Sequence, residues 1–296
     1  MKSPPQALVS PIGVFHSISA FCNAGFDLFG DSLVRYSGDV SVNFIFGTLI
    51  ILGGLGFPVL VEIMHWLRWR SKVSLHALMV LYTTGILLLL GTVAVIVFEY
   101  ANPATLGEMS LQGKVLSSVF HSLTPRTAGF NTLPTGQLMP ITLLMTMLFM
   151  FIGASPGGTA GGVKTTTFAA LLLAIRGALT GQQDMVMFKR RIGGDTLMKS
   201  LAIVGMALGL VLVTSAVLLH TEGMDFLPTV FEAFSAFGTA GLSMGITGEL
   251  SSLGRAMLVV TMFAGRIGPL TVFLAIAAQT HRPSSYRRPE EKIMIG

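Results

Sequence analysis

The sequence has 296 residues, of which 52% are hydrophobic and 11% are charged, and its mean hydropathy is +0.73. Soluble domains carry about 25% charged residues, and disordered chains contain fewer apolar residues, so the composition excludes both classes. The single cysteine, Cys22, excludes a disulfide framework and a zinc site with several thiolate ligands. The sequence therefore predicts an integral membrane protein whose surroundings are the lipid bilayer.

The net charge of +5 indicates membrane topology and not a nucleic-acid surface. No formal charge lies between Asp39 and Glu62, between Lys72 and Glu99, or between Lys199 and Glu222. At about 1.5 Å per residue, each of these stretches can cross a bilayer core of about 30 Å. The positive-inside rule places the basic clusters in the cytoplasm and segments 99–134 and 222–250 outside. The basic clusters are Arg68, Arg70 and Lys72; Arg176, Lys189, Arg190, Arg191 and Lys199; and Arg282, Arg287, Arg288 and Lys292.

Five membrane-spanning segments are predicted, and two of them are irregular. The third is broken by the glycines and the proline of segment 153–167, and the fifth is interrupted at Arg266. Non-helical backbone at membrane depth is tolerated only where protein or a water-filled cavity covers it. Both breaks therefore predict a pathway through the protein. The predicted spans are residues 41–67, 73–99, 137–177, 196–220 and 252–280.

Three short stretches of the sequence repeat one another, at 15–27, 120–131 and 231–243, and each contains an Ala-Gly pair that ends at Gly25, Gly129 or Gly241. Before each pair lies an apolar segment of roughly ten residues, too short to cross the bilayer. These segments, at 13–21, 113–123 and 227–237, are predicted to be half-helices that enter from the outer side. The Ala-Gly turn then leads into the next span.

This repeated arrangement favours a cation. A half-helix that enters from outside directs its partially negative C-terminal end toward the membrane interior. The backbone carbonyls of the following turn can replace the hydration shell of a monovalent cation, and glycine allows them to point inward. Several such turns around one axis form a selectivity filter.

The motifs that carry a family resemblance are Gly153-Ala-Ser-Pro-Gly-Gly-Thr-Ala-Gly-Gly-Val-Lys164, Gly265-Arg-Ile-Gly-Pro-Leu-Thr271 and the basic loop Phe188-Lys-Arg-Arg-Ile192. Together with the repeats, they resemble the Trk/Ktr/HKT potassium-transporter superfamily, and within it the bacterial Ktr membrane subunit. The resemblance runs from about residue 11 to 281. It implies an all-α integral membrane protein of repeated span–pore helix–span units around a pseudo-fourfold ion pore.

The resemblance also implies which residues form the site. A K⁺ ion would bind at backbone carbonyls of the filter, and no catalytic residue is implied. An intramembrane loop would gate the pore, together with a pore-facing arginine. The filter residues are Asn23, Ala24, Gly25 and Phe26; Thr127, Ala128, Gly129 and Phe130; and Thr239, Ala240, Gly241 and Leu242. The gating residues are Gly157, Gly158, Thr159, Gly161, Gly162, Lys164 and Arg266.

Four repeat units make up the family pattern, whereas this sequence contains half of one unit and two complete ones. We expect a partial repeat at 1–70, complete repeats at 71–195 and 196–281, and a cytoplasmic tail at 282–296. The sequence is therefore expected to be incomplete at its N-terminus, as a piece of a longer subunit or through a misassigned start codon.

The implied function is potassium uptake across the plasma membrane, without enzymatic activity and without a cofactor in this chain. The resemblance leaves coupling to Na⁺ open. It implies a homodimer whose cytoplasmic basic segments, especially 182–199, dock a separate regulatory ring that binds nucleotides. The alternative is a non-conducting membrane anchor or an assembly protein that only binds partners.

Several motifs also have simpler interpretations. Ala-Gly pairs and the run Gly53-Gly-Leu-Gly56 are typical of helix–helix contacts. Segment 157–165 lacks the contiguous Gly-Lys-Ser/Thr of a phosphate-binding loop, because Val163 separates Gly162 from Lys164.

For the charged and titratable residues, two interpretations also stand side by side. Lys164 either gates the pathway or extends to the inner interface, and Arg266 either faces the pore or forms a structural salt bridge. His16, His121 and Glu232 occupy matching repeat positions, where ordinary hydrogen bonds are favoured over a metal pair.

Overall fold

The computed structural model describes residues 11–181, 185–268 and 271, and within them the regular secondary structure is almost entirely helical. The sequence analysis missed a short hairpin, in which residues Met185–Met187 pair antiparallel with residues Arg190–Ile192. The predicted all-α class is confirmed. The helices are α1 Pro11–Phe21, α2 Val40–Leu55, α3 Phe57–Trp69, α4 Leu75–Glu99, α5 Leu111–Leu123, α6 Pro140–Phe151, α7 Thr165–Thr180, α8 Gly194–Glu222, α9 Phe226–Gly238 and α10 Ser252–Ile267, and the strands are β1 Met185–Met187 and β2 Arg190–Ile192.

Short polar side chains set the starts of four of these helices. Asp39 accepts a hydrogen bond from the Val42 N–H at the start of α2, and Ser74, Ser110 and Ser251 make the same kind of bond at α4, α5 and α10. Such caps satisfy one of the N–H groups that the first turn of a helix leaves free. The polar residues thus mark where apolar helices begin.

Two helices are long and apolar enough to cross a membrane on their own, namely α4 and α8. Their bounds agree with the predicted spans 73–99 and 196–220. Many of their side chains remain exposed in the folded chain, including Leu89 and Val97 of α4 and Leu212 of α8. Exposed apolar side chains along such helices are compatible with contact with lipid tails.

The predicted span at 41–67 is not one regular helix. This segment forms α2 and α3, which are bent by 104° at Gly56. Gly56 adopts a φ of +90°, and Pro58 in the first turn of α3 has no N–H to continue the α2 hydrogen-bond ladder. A Cβ at position 56 would lie 2.5 Å from the Pro156 carbonyl oxygen, so this glycine also permits a close backbone contact.

The predicted break of the third span is confirmed. Helix α6 ends at Phe151 and α7 begins at Thr165. The ends of the intervening loop, residues 152–164, come together in a parallel bridge between Ile152 and Val163. We call residues 152–164 the intramembrane loop.

The fifth predicted span is described only in its first part. Helix α10 ends at Ile267, one residue after Arg266, and Gly268 follows with a φ of +96°. The remainder of segment 252–280, apart from Thr271, and the predicted tail 282–296 with its basic cluster lie outside the described residues.

Short helices lie at the three predicted half-helix positions, and they are α1, α5 and α9, of 11, 13 and 13 residues. Helix α1 packs against α2, α5 against α4 and α2, and α9 against α6, α8 and α10. Large side chains anchor the second and third half-helices, since Phe120, Phe231 and Phe237 are at most 1% exposed. The longer helices thus hold the short ones in place.

Backbone contact between α2 and the end of α1 depends on Gly53. A Cβ on this residue would lie 1.8 Å from the Phe21 carbonyl oxygen, which is shorter than any real contact. The run Gly53-Gly-Leu-Gly56, one interpretation of which was a contact between helices, therefore packs against the C-terminal end of α1 and against the intramembrane loop.

We predict that Gly53→Ala lowers the free energy of unfolding by at least about 2 kcal/mol, because overpacking would force the two backbones apart. Gly209→Ala in α8 is the matched control, since nothing lies within 4 Å of a Cβ there. Melting temperatures of the purified protein in detergent compare the two variants. Equal melting temperatures for both would contradict the packing account.

Candidate functional site

Three glycines that follow the half-helices lie close together, with Gly129 against both Gly25 and Gly241. A Cβ on Gly25 would lie 2.8 Å from the Gly129 Cα, and a Cβ on Gly241 would lie 3.2 Å from the same atom. The carbonyl oxygens of Ala128 and Ala240 also lie there, 3.0 Å and 3.1 Å from the Cβ positions of Gly25 and Gly129. Three segments distant in the sequence thus bring backbone alone to a common axis.

Each converging segment has the same backbone conformation. The glycines Gly25, Gly129 and Gly241 have φ values of +69°, +77° and +77°. The residues two positions before them also have positive φ, and they are Asn23 at +49°, Thr127 at +74° and Thr239 at +49°. Positive φ is uncommon outside glycine, so its recurrence at matching positions indicates one turn used three times.

Backbone hydrogen bonds tie each turn to the end of its half-helix. The Ala24 N–H donates to the Ser19 carbonyl at 2.9 Å, and the Ala240 N–H donates to the Ser235 carbonyl at 2.9 Å. The Ala128 N–H donates to the Thr124 carbonyl at 3.0 Å. The turns therefore begin at the partially negative C-terminal ends of α1, α5 and α9.

Two hydroxyl groups that the sequence analysis did not single out orient the residues after the glycines. Ser19 Oγ donates to the Phe26 carbonyl at 3.0 Å, and Thr124 Oγ1 donates to the Phe130 carbonyl. The sequence does contain a signal for these two hydroxyl groups, because they occupy matching positions in two of the repeats. Phe130 and Leu242 are buried, whereas the Phe26 side chain is 67% exposed.

The matching residues His16, His121 and Glu232 make separate hydrogen bonds. His16 Nδ1 lies 2.7 Å from the Ile12 carbonyl oxygen, His121 Nε2 lies 3.1 Å from Thr146 Oγ1, and Glu232 accepts from the Thr247 hydroxyl. In the part of the chain that the structure describes, no three His, Cys, Asp or Glu side chains are grouped so that they could hold a metal ion.

A carboxylate lies just outside the first turn, at Asp27. Burial opposes its ionisation, but the N–H groups of Phe29, Ser32 and Gly30 and the imidazole of His16 hold the pKa of Asp27 below its usual value. The corresponding positions of the other turns carry Asn131 and Ser243. Of these three positions, only the one beside the first turn therefore carries a carboxylate.

The intramembrane loop docks on the ends of two helices. Its Ser155 and Thr159 N–H groups each donate at 3.1 Å to carbonyls of the last turn of α2, those of Gly54 and Gly53 respectively. The Gly162 N–H donates at 3.2 Å to the Gly265 carbonyl near the end of α10. Because the last four carbonyls of a helix have no partner within it, helix ends are suitable docking places for a loop.

The same loop contacts two of the converging turns. Asn23 Nδ2 donates to Thr159 Oγ1 at 2.9 Å, and a Cβ on Gly161 would lie 2.5 Å from Thr239 Oγ1. The remaining predicted loop glycines also make close contacts, Gly157 with Pro58 and Gly158 with the Gly54 carbonyl. The loop therefore contacts the first and third turns.

Two cations accompany the loop at this place. Arg266 Nη1 lies 3.5 Å from Thr239 Oγ1, and Lys164 Nζ donates to the Ala160 carbonyl within the loop at 2.5 Å. The two charges are close enough to repel each other. Among the described residues neither forms a salt bridge, and both interpretations of Arg266 remain predictions.

Comparison with known proteins adds a family to this geometry. Residues 7–287 match the model of the TrkH family, described as cation transport protein. Ktr system potassium uptake protein B of Bacillus subtilis is 43% identical over 96% of this chain and 63% of its own length. The potassium/sodium uptake protein NtpJ of Enterococcus hirae is 37% identical over 96% of this chain and 63% of its own length.

A solved structure shows the same fold. The potassium transporter TrkH from Vibrio parahaemolyticus superposes with a TM-score of 0.74 at 16% identity, over 92% of this chain and 59% of that one. The chain thus spans about 63% of the length of the curated relatives it matches. The family is one of transport proteins and not of enzymes. The chain belongs to the TrkH family of cation transport proteins.

Proposed function

We propose that this chain forms the ion-conducting part of a potassium uptake protein. The observation that carries the proposal is the convergence of Gly25, Gly129 and Gly241 at the ends of three half-helices, in one shared left-handed conformation. The relatives in Bacillus subtilis and Enterococcus hirae, named as potassium and potassium/sodium uptake proteins, support the choice of ion. Coupling of K⁺ uptake to Na⁺ is part of the same proposal, because the Enterococcus hirae relative is named as a potassium/sodium uptake protein.

Selection of the ion would use the backbone of residues 23–26, 127–130 and 239–242. The partially negative ends of α1, α5 and α9 favour a cation at the axis, and the turn carbonyls replace its water shell. The Asp27 carboxylate outside the first turn attracts cations to the entrance. Glycine is required at the centre because any side chain would fill the place where the three backbones meet.

Gating would use the intramembrane loop together with Lys164 and Arg266. In its docked position the loop lies against the inner side of two turns, and the two positive charges oppose a cation that leaves the filter. Conduction then requires that the hydrogen bonds from the loop to α2, α10 and Asn23 be broken. The gating residues Gly157 to Gly162 supply the tight backbone that this docking needs.

For the assembly, we propose a homodimer in the plasma membrane, with the filter turns outside and the basic connections in the cytoplasm. The β1–β2 hairpin is a candidate docking place for a nucleotide-binding regulatory ring. It carries Lys189, Arg190 and Arg191, and Phe188 lies edge-on to Tyr82 of α4 with ring centres 5.9 Å apart. We also propose that the chain is divided into a partial repeat at 1–70 and complete repeats at 71–195 and 196–281.

We predict that Gly129→Ser raises the external K⁺ concentration for half-maximal uptake by at least about tenfold, since it disturbs ion coordination at the axis. The matched control is Gly248→Ser, because a Cβ at that glycine has nothing within 4 Å. The affinity of both variants is measured by rubidium uptake in a host that lacks its own potassium uptake systems. An unchanged K⁺ affinity in the Gly129→Ser protein would count against the filter.

Thr159→Val is expected to raise the maximal uptake rate about fivefold, because it removes the hydroxyl that accepts from Asn23 and donates to Gly53. Thr167→Val makes the same side-chain replacement on α7, away from the filter, and should leave the maximal uptake rate unchanged. The same uptake assay compares the two. A rate at or below that of the unmodified protein for Thr159→Val would argue against the loop as a gate.

Arg266→Gln tests the electrostatic part of the gate separately. We expect a higher maximal rate, because a positive charge beside Thr239 opposes passage of a cation. Arg255→Gln near the start of α10, whose side chain donates to the Gly248 carbonyl, is the control. If rate and K⁺/Na⁺ preference both stay as they were, Arg266 has no role in conduction.

A further inference from the structure

Arg126 is a buried charge for which the proposed conduction pathway has no use. Its side chain is only 7% exposed, and its Nε has no hydrogen-bond partner. Across the described ranges no acceptor or carboxylate is recorded for its guanidinium. Burying a guanidinium without acceptors is unfavourable. A second conformation of the protein in which this guanidinium has acceptors would therefore compensate for that cost.

Arg126 lines a cavity of about 10 Å³, which is room for one water molecule. Thr84 provides the other polar side chain of the lining, and no acidic residue lines the cavity. One water cannot satisfy the five N–H donors of an arginine. The lining residues are Ile50, Ile51, Gly54, Leu55, Thr84, Leu123, Arg126 and Ala154.

Two walls of this cavity belong to the docked gate. Gly54 is in the last turn of α2, and Ala154 is in the intramembrane loop. In the docked position, the Gly54 carbonyl accepts from the Ser155 N–H and the Gly53 carbonyl accepts from the Thr159 N–H. When the loop leaves, these carbonyls lose those donors, and the cavity beside them loses its Ala154 wall.

The repeats show that the turn itself does not need an arginine here. Counting back three residues from the converging glycines gives Cys22, Arg126 and Gly238. At Gly238 a Cβ would lie 2.4 Å from the Met150 carbonyl oxygen, so no side chain fits the third turn. Of the three turns, only the second therefore carries an arginine at this position.

We propose that Arg126 is a positioning residue for gating. While the loop is docked, its guanidinium lacks acceptors. When the loop moves, the guanidinium takes over the carbonyl oxygens of Gly53 and Gly54 and so stabilises the released position. This inference rests on the proposed gating role of the intramembrane loop. It assigns the second turn a function in opening as well as in ion selection.

Arg126→Met distinguishes this role from a structural one, because the two readouts move in opposite directions. We expect maximal rubidium uptake to fall about tenfold, as when a buried carbonyl is left without a donor. The melting temperature of the purified, docked protein should rise, since a buried charge without acceptors is removed. Arg126→Gln is the second variant, and Arg255→Met is the control for loss of an arginine.

Combination with Thr159→Val completes the test. We expect Arg126→Met to abolish the gain in rate that Thr159→Val alone produces. A fall in melting temperature together with uptake would show that Arg126 only supports the fold, and unchanged uptake would also overturn the inference. If Thr159→Val alone produces no gain, the proposed gate fails, and the inference about Arg126 fails with it.

Discussion

Close approach of backbone to backbone is the constraint on which the rest of the structure depends. Around Gly25, Gly129 and Gly241, segments from three repeats come so near that a single added Cβ would collide with a neighbouring main chain. Side chains cannot create such a place, because only main-chain carbonyls fit there. The half-helices, their buried phenylalanines and the longer helices around them all hold these three segments at their common point.

Free carbonyls at helix ends explain why the intramembrane loop lies where it does. Helix α2 stops at the bend before Gly56, and α10 stops soon after Arg266, so both end in carbonyls that have no partner within their own helix. Unpaired carbonyls are costly away from water, and the N–H groups of the loop satisfy them. Broken helices and the loop are thus two parts of one arrangement, in which each supplies the hydrogen-bond partners that the other lacks.

Much of this arrangement could be predicted from the sequence, because its signals are local or repeated. Charge-free stretches located α4 and α8, and the triplicated Ala-Gly pairs located the three half-helices. The bend at Gly56 was missed, since an apolar run continues through Gly56 and Pro58 and since the close contact with Pro156 lies a hundred residues away in the sequence. The contact between Asn23 and Thr159 could not be predicted for the same reason, because neither local sequence indicates which distant residue it contacts.

The central claim is that a dehydrated K⁺ ion binds where the three glycine turns converge. Anomalous diffraction from crystals grown in rubidium or thallium salts, which replace K⁺, tests it most directly. The account predicts an ordered anomalous peak at the carbonyls around Gly25, Gly129 and Gly241, and loss of that peak when Na⁺ is the cation. A peak elsewhere in the protein, with none at this point, would contradict it.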